Sequence, residues 1–180
     1  MKQVKLLFLD IDGVLNCKAT AYSPLGVRDI DRDKLLLLKR IIEATGAKIL
    51  LISSWKEGWY SNPNKKSEQT ETADYLDKRF AEVGLRISGK VPDVDFGGRG
   101  KSIREYLERL QVKGFLVTRF AILDNDAGDY AKMGLSDHLI KTSFFRGGLT
   151  QSKADQTIDL LKDQDVQTTI ESKENNNHHL

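Results

Sequence analysis

The chain has 180 residues, a formal charge of +2 and 39% hydrophobic residues, which suits one domain with an ordinary core and leaves room for only a small cap or insert. Both signs of charge are scattered along it, so no global field favours nucleic acid or a membrane surface, and any such partner must be met locally. One cysteine, Cys17, excludes an intrachain disulfide. With no signal peptide and no run of about twenty apolar residues, the expectation is a cytoplasmic protein without a membrane partner.

The first apolar run, Val4 to Leu9, is broken only by Lys5, the pattern of a strand covered on both faces of a parallel sheet. It stops at Asp10, with Asp12 two positions on. Gly13 allows a sharp turn just beyond, so both carboxylates can face one crevice at the strand's carboxyl end, where open α/β sheets bind ligands. Two carboxylates ~4 Å apart repel by roughly 4 kcal/mol at an effective dielectric of about 20. A site holding both ionised therefore implies a cation or a shared proton, and Mg²⁺, hard and oxygen-seeking, is the natural candidate.

Residues 17–30 carry Pro24 and Gly26 without a clear period and read as a flap, a loop or short hairpin leaning over the site. Asp31 is placed to cap a helix bearing Leu35, Leu38, Ile41, Ile42 and Thr45, and Gly46 to end it. Ala47 to Ile52 is a second buried strand ending at Ser53, Ser54 and Trp55. The order strand, helix, strand makes it a parallel neighbour of the first, so this loop should open beside the aspartates. After a polar, turn-rich stretch at 56–66, Ala73, Leu76, Phe80 and Val83 keep helical spacing up to Gly84. Leu85 to Val91 reads as a short edge strand. The Gly-rich segment PDVDFGGRGKS leads into a helix with Ile103, Tyr106, Leu107 and Leu110 on one face and Lys101 on its first turn. Phe120 to Leu123 is a third apolar run, stopped by Asp124, Asn125, Asp126 and Asp129, and His138 to Lys141 is a fourth strand. Thr150 is placed to cap a last helix with Ala154, Ile158 and Leu161. The expected organisation is one domain over residues 1–166, followed by a polar, disordered tail at 167–180.

Asp-x-Asp, Ser, Lys and an acidic cluster thus recur, in that order, at the ends of apolar runs or at a helix start. Hydrolysis of a phosphate monoester could use that whole set. Asp10 is the candidate nucleophile, forming an aspartyl-phosphate, and Asp12 the acid and base for leaving group and water. Mg²⁺ held by Asp10, Asp124 and a backbone carbonyl, with Asp12 and Asn125 completing the candidate metal set, would offset charge repulsion. Ser53, Ser54 and Lys101 are the candidate phosphate binders.

At these residues the sequence resembles the haloacid dehalogenase (HAD) superfamily of phosphohydrolases. Its four motifs match DIDGVLN at Asp10 and Asp12, Ser53 after a hydrophobic strand, Lys101 opening a helix, and Asp124 in ILDND. The resemblance implies a Rossmann-like α/β/α sandwich with a mainly parallel sheet, Mg²⁺, a flap after the first strand, the first Asp as nucleophile and the second as acid/base. Many members carry a second acid directly after the first in the fourth motif, where this chain has Asn125, so the missing charge falls to Asp126 or Asp129. The strings SSW at 53–55, ILDND at 122–126 and GLT at 148–150 also resemble the HAD domain of Swiss Army Knife RNA repair proteins. Neither gap between motifs has room for a large folded cap, and capless members tend to act on large substrates such as nucleic-acid ends.

Plainer readings stand beside these. Asp is common in turns, and a first-turn lysine opposes the helix dipole unless an anion is bound there. Trp55 is a possible substrate contact by base stacking, as is Trp59, although packing is the commoner fate of tryptophan. Lys56, Lys65 and Lys66 suit a solvated loop, Cys17 a small buried site, and His138 packing at a strand start; His178 and His179 lack metal-site spacing. Three alternatives follow: a small-molecule or nucleotide phosphatase of the same family, a receiver-like module, or a catalytically silent phosphate- and Mg²⁺-binding module. The oligomeric state is not encoded in these features.

Overall fold

Alternate residues of the central strands face opposite sides, and each side has its own core. Leu7, Leu9, Ile49, Leu51, Ala121 and Leu123 pack into one apolar cluster, and Leu6, Phe8, Leu50, Ile52 and Ile122 into another. The strands that carry them, in a computed structural model that describes residues 1–163, are β1 (Lys2–Leu9), β2 (Lys48–Leu51), β3 (Ile87–Lys90), β4 (Phe115–Asp124) and β5 (Leu139–Lys141). The tail expected over 167–180, with His178 and His179, lies outside the described residues.

The five strands pair in the order β3-β2-β1-β4-β5, every pairing parallel. Parallel neighbours need crossovers, supplied here chiefly by four helices: α1 (Arg32–Thr45), α2 (Glu71–Ala81), α3 (Arg99–Val112) and α4 (Gln151–Leu161). Helices α1, α2 and α4 bury Leu38, Leu76 and Ile158 against the first cluster, while α3 buries Ile103 against the second. The result is the expected three-layer α/β/α sandwich. No helix among the described residues is long and apolar enough to cross a membrane.

Each expected strand and helix is present, with two differences. Strand β4 begins at Phe115, five residues before the apolar run, because its first half alternates half-buried Phe115, Val117 and Arg119 with exposed Leu116 and Thr118. Asp31 occupies the N-cap position of α1 but does not cap it; its carboxylate instead accepts from Thr20 Oγ1 at 2.7 Å and Lys34 Nζ at 2.9 Å. Thr20 lies in the flap, which closes on itself through an antiparallel bridge between Tyr22 and Arg28.

Register decides what meets at the carboxyl edge of the sheet. Leu9 pairs with Leu51 on one side and Leu123 on the other, so Asp10, Ile52 and Asp124 emerge side by side. The β5–α4 loop is then stitched to the turn after β1. Thr142 Oγ1 donates to Gly13 O at 2.6 Å, and Leu149 N donates to Val14 O at 2.8 Å. Gly148 makes this approach possible: its φ is +63°, and a Cβ there would lie 2.8 Å from the carbonyl oxygens of both Val14 and Asn16.

Gly46 ends α1 at φ +71° with no atom near its missing side chain, so it separates left-handed strain from collision. Gly46→Ala should cost about 1–2 kcal/mol. Gly148→Ala should cost about 1–3 kcal/mol more, because two backbone oxygens must move. Urea unfolding of the two variants checks this, and equal losses would mean the stitched loop yields freely.

Candidate active site

The turn after β1 fixes the first two acids. Asp10 is buried, its backbone N–H bonded to Leu123 O at 2.9 Å, and Gly13 turns the chain at φ +79° with the Asn125 side chain packed where a Cβ would stand. Asp12 is exposed, yet both its oxygens are held by neutral donors. Asn16 Nδ2 donates to Oδ1 at 2.8 Å and Trp55 Nε1 to Oδ2 at 3.1 Å. The Asp12 carboxylate is thereby aimed without an ion pair.

Asp124, fully buried at the end of β4, accepts from the Asp126 N–H at 2.9 Å and from Tyr130 Oη at 2.6 Å. Arg99 then ties the two strand ends together: its Nη1 lies 3.1 Å from Asp10 Oδ2 and 2.8 Å from Asp124 Oδ2. Burial alone would lower the Arg99 pKa, but the charges of Asp10 and Asp124 outweigh it and raise it. Burial and the Asp124 charge push the Tyr130 phenol up, keeping it a neutral donor. Burial first, then the Asp124 charge, raise Asp10 to about 7 from an ordinary 3.8, against the pull of Arg99.

These residues line an open cleft of about 610 Å³ with Asp12, Ser54, Asn125, Asp126, Asp129 and Lys141. Several expected members stand elsewhere or serve differently. Lys101 is not part of the lining; its ammonium reaches the Asp95 carbonyl at 3.4 Å, and Arg99 is the cation at the carboxylates. The reason is helical: residues two apart on α3 differ by about 200° around its axis, so only one of the pair can face the strand ends. Ser53 is buried, and its hydroxyl accepts from the Trp55 N–H at 3.2 Å, capping a short 3₁₀ turn over Ser54–Lys56, so Ser54 is the serine on the cleft. Trp55 offers no stacking face. Its ring is buried and only its N–H reaches the site, and Trp59 is likewise buried, donating to Asp77.

Asn125, with its amide nitrogen toward acceptors, donates to Asp10 Oδ2 at 3.0 Å and to Asp12 O at 3.1 Å. In this orientation it braces the turn that carries Asp10 and Asp12. Asp129 accepts from the backbone N–H groups of Gly100 at 2.7 Å and Lys101 at 3.1 Å. It therefore caps α3 from a distance, where the N-cap residue Gly98 has no side chain to do so. Lys56 is buried on Val91 O and Asp93, Lys66 pairs with Asp77, Lys65 lies over Tyr60, and Cys17 is buried. His138 stacks on Phe120. Sequence reasoning missed Arg99, Lys141 and Tyr130; the signal for Arg99 was its place as the first residue of α3, immediately after two glycines.

Among the described residues no three carboxylate, His or Cys side chains gather as a ready-made metal cluster. The chemistry of the donors still fits Mg²⁺, which keeps several waters and takes one or two carboxylates. Asp10 Oδ2 shares an Arg99 nitrogen with Asp124 Oδ2 and the Asn125 amide with the Asp12 carbonyl, so hard oxygen donors from both strand ends adjoin Asp10.

A parallel sheet with acids from β1 and β4 at its carboxyl edge is the arrangement expected of a HAD-superfamily α/β domain, a class of phosphohydrolases whose members generally use Mg²⁺. Within it, the chain belongs to the family described as the HAD domain in Swiss Army Knife RNA repair proteins, whose model matches residues 6–154. No curated protein matches the chain.

Between about pH 4 and pH 7 the folded chain keeps a proton on Asp10 that the unfolded chain has released, so stability falls as pH rises through that window. In chelator-treated protein, Asp10→Asn should therefore be more stable than wild type at pH 8 by on the order of 2–4 kcal/mol, and nearly equal to it at pH 4. Urea unfolding at both pH values checks this; the same gap at each would show that Asp10 is not the group responsible.

Proposed function

We propose that the chain is a Mg²⁺-dependent phosphomonoester hydrolase that works through an aspartyl-phosphate on Asp10. The observation that carries this reading is a buried carboxylate at the end of the central strand, facing an open cleft, with a fork of guanidinium donors and a second, separately held carboxylate beside it. Asp10 attacks phosphorus, and the bond to the leaving oxygen breaks as the new one forms. Asp12 delivers a proton to that oxygen and later takes one from the water that attacks the phospho-enzyme. Asn16 and Trp55 keep its carboxylate aimed through both half-reactions.

Arg99 binds the phosphoryl oxygens, a role suited to its planar fork. It neutralises the resting carboxylates and is drawn to the more highly charged phosphate when substrate enters. Ser54 and Lys141 stand on the cleft as further donors. Mg²⁺, held by Asp10, Asp124 and the Asp12 carbonyl, would supply charge neutralisation between nucleophile and phosphate. The cleft's exposed rim, with Asp12, Ser54 and Asp126 open to solvent, supports a large substrate such as a nucleic-acid end over an enclosed small molecule.

With Mg²⁺ and a generic aryl phosphate, the wild type should turn over and Asp10→Asn should lose about a thousandfold or more in kcat. Arg99→Ala should lose about a hundredfold or more in kcat/KM, whereas Lys101→Ala should resemble wild type. Equal rates for wild type and Asp10→Asn would end this reading. A stable phosphoprotein after acetyl phosphate treatment would mark a receiver-like module instead.

A further inference from the structure

Beside the catalytic cleft lies a second one, of about 450 Å³, lined by Lys141, Arg146, Lys153, Thr142, Ser143 and Thr150 with no carboxylate among its lining residues. We propose that this cleft binds an internal phosphodiester of a single-stranded nucleic acid whose terminal phosphate lies against Asp10. The proposal rests on the phosphohydrolase reading above and names its substrate subsite.

What distinguishes the hollow is the sign of its lining, three cations with no carboxylate beside them, whereas Lys34 is met by Asp31, Arg40 by Asp155, Lys56 by Asp93 and Lys66 by Asp77. Among the described residues, Lys141, Arg146 and Lys153 form no ion pair. Three free cations and three hydroxyls around one hollow, in a chain whose formal charge is only +2, make a local anion site without a global field. The amino end of α4 opens into it through Thr150. That helix has no acid in its first turn and carries Lys153 there instead, so beyond the Thr150 hydroxyl that caps it no charge offsets its dipole.

Position favours a nucleic-acid strand over a free anion. Lys141 lines both clefts, and in the sheet it sits in register beside Asp124. The two hollows therefore adjoin, and a phosphate in each is what consecutive linkages of one strand would supply. The walls are fixed: the loop bearing Thr142 and Gly148 is hydrogen-bonded to the turn that carries Asp12. Exposed aromatic rings adjoin this loop, Tyr22 through Arg28, which lies over the rings of both Phe144 and Tyr22. Phe145, next to Arg146, is 77% exposed with Lys18 over its ring, and Tyr22 of the flap is 67% exposed with Arg28 over its ring. Exposed rings beside unpaired cations are the elements by which single strands are held, bases on rings and phosphates on cations.

The test measures binding, by fluorescence anisotropy, of a labelled ten-nucleotide RNA with a terminal phosphate, at its 5′ end in one arm and its 3′ end in another. The protein is the Asp10→Asn chain with Mg²⁺, so that the probe survives. Adding Arg146→Ala and Lys153→Ala should weaken binding about tenfold or more and reduce the slope of log K against log salt by about 0.7, the value for one lost phosphate contact on a single strand. Adding Phe145→Ala alone should weaken binding about fivefold or more and leave the slope unchanged. Circular dichroism confirms that each variant is folded. The proposal is overturned if the RNA binds no better than a mononucleotide, if the double substitution changes neither affinity nor slope, or if a phosphoserine peptide of equal charge binds better. Wild-type turnover of aryl phosphate is read separately: RNA binding without any turnover would sink the hydrolase reading while leaving the cleft intact.

Discussion

Two carboxylates brought side by side at the ends of adjacent parallel strands repel each other, and the rest of this site is arranged around that repulsion. The register of β1 against β4 leaves Asp10 and Asp124 no choice of position. Burial then removes the water that would have screened them. Arg99 offsets both charges with one guanidinium, Tyr130 and the Asp126 N–H satisfy the remaining lone pairs of Asp124, and Asn125 reaches back to Asp10. The strain that remains is visible in the raised pKa of Asp10. A carboxyl so raised gains from any cation brought beside it, and on the proposed function burial here would serve chemistry at the expense of stability.

Arg99 can occupy that position only because the start of α3 is anchored. Gly98 leaves the helix without a side-chain cap, and Asp129 supplies one from the loop after β4. One loop therefore delivers Asp124 to the cleft and, through Asp129, sets the helix whose first residue faces it. On the other side, the β5–α4 loop is bonded to the turn that presents Asp12. Displacing any one of these loops moves the others, so the catalytic geometry is shared across segments far apart in the chain.

The site is electrostatically lopsided. Its floor is acidic and already has a resident cation in Arg99, while the wall toward α4 carries cations with no acid to meet them. On the proposed function, a phosphate entering such a cleft would find its charge matched on the wall side first, then at the floor.

Much of this was legible in the chain itself. Strand β1 and its terminal Asp10 and Asp12, the alternating strand and helix order, the end of α1 at Gly46 and the cap of α4 at Thr150 follow from apolar period and local backbone chemistry, which act over a few residues. The acids were legible because a carboxylate ending a buried strand has few other uses. What the sequence could not assign was which of several nearby polar residues faces the cleft: Arg99 and not Lys101, Ser54 and not Ser53, Trp55 as a donor to Asp12 and not a stacking surface, Asp129 as a helix cap. Those choices depend on the rotation of a helix about its axis and on the register of strands whose partners lie far away in the chain. Local pattern names the candidates, and only long-range packing, by fixing rotation and register together, decides among them.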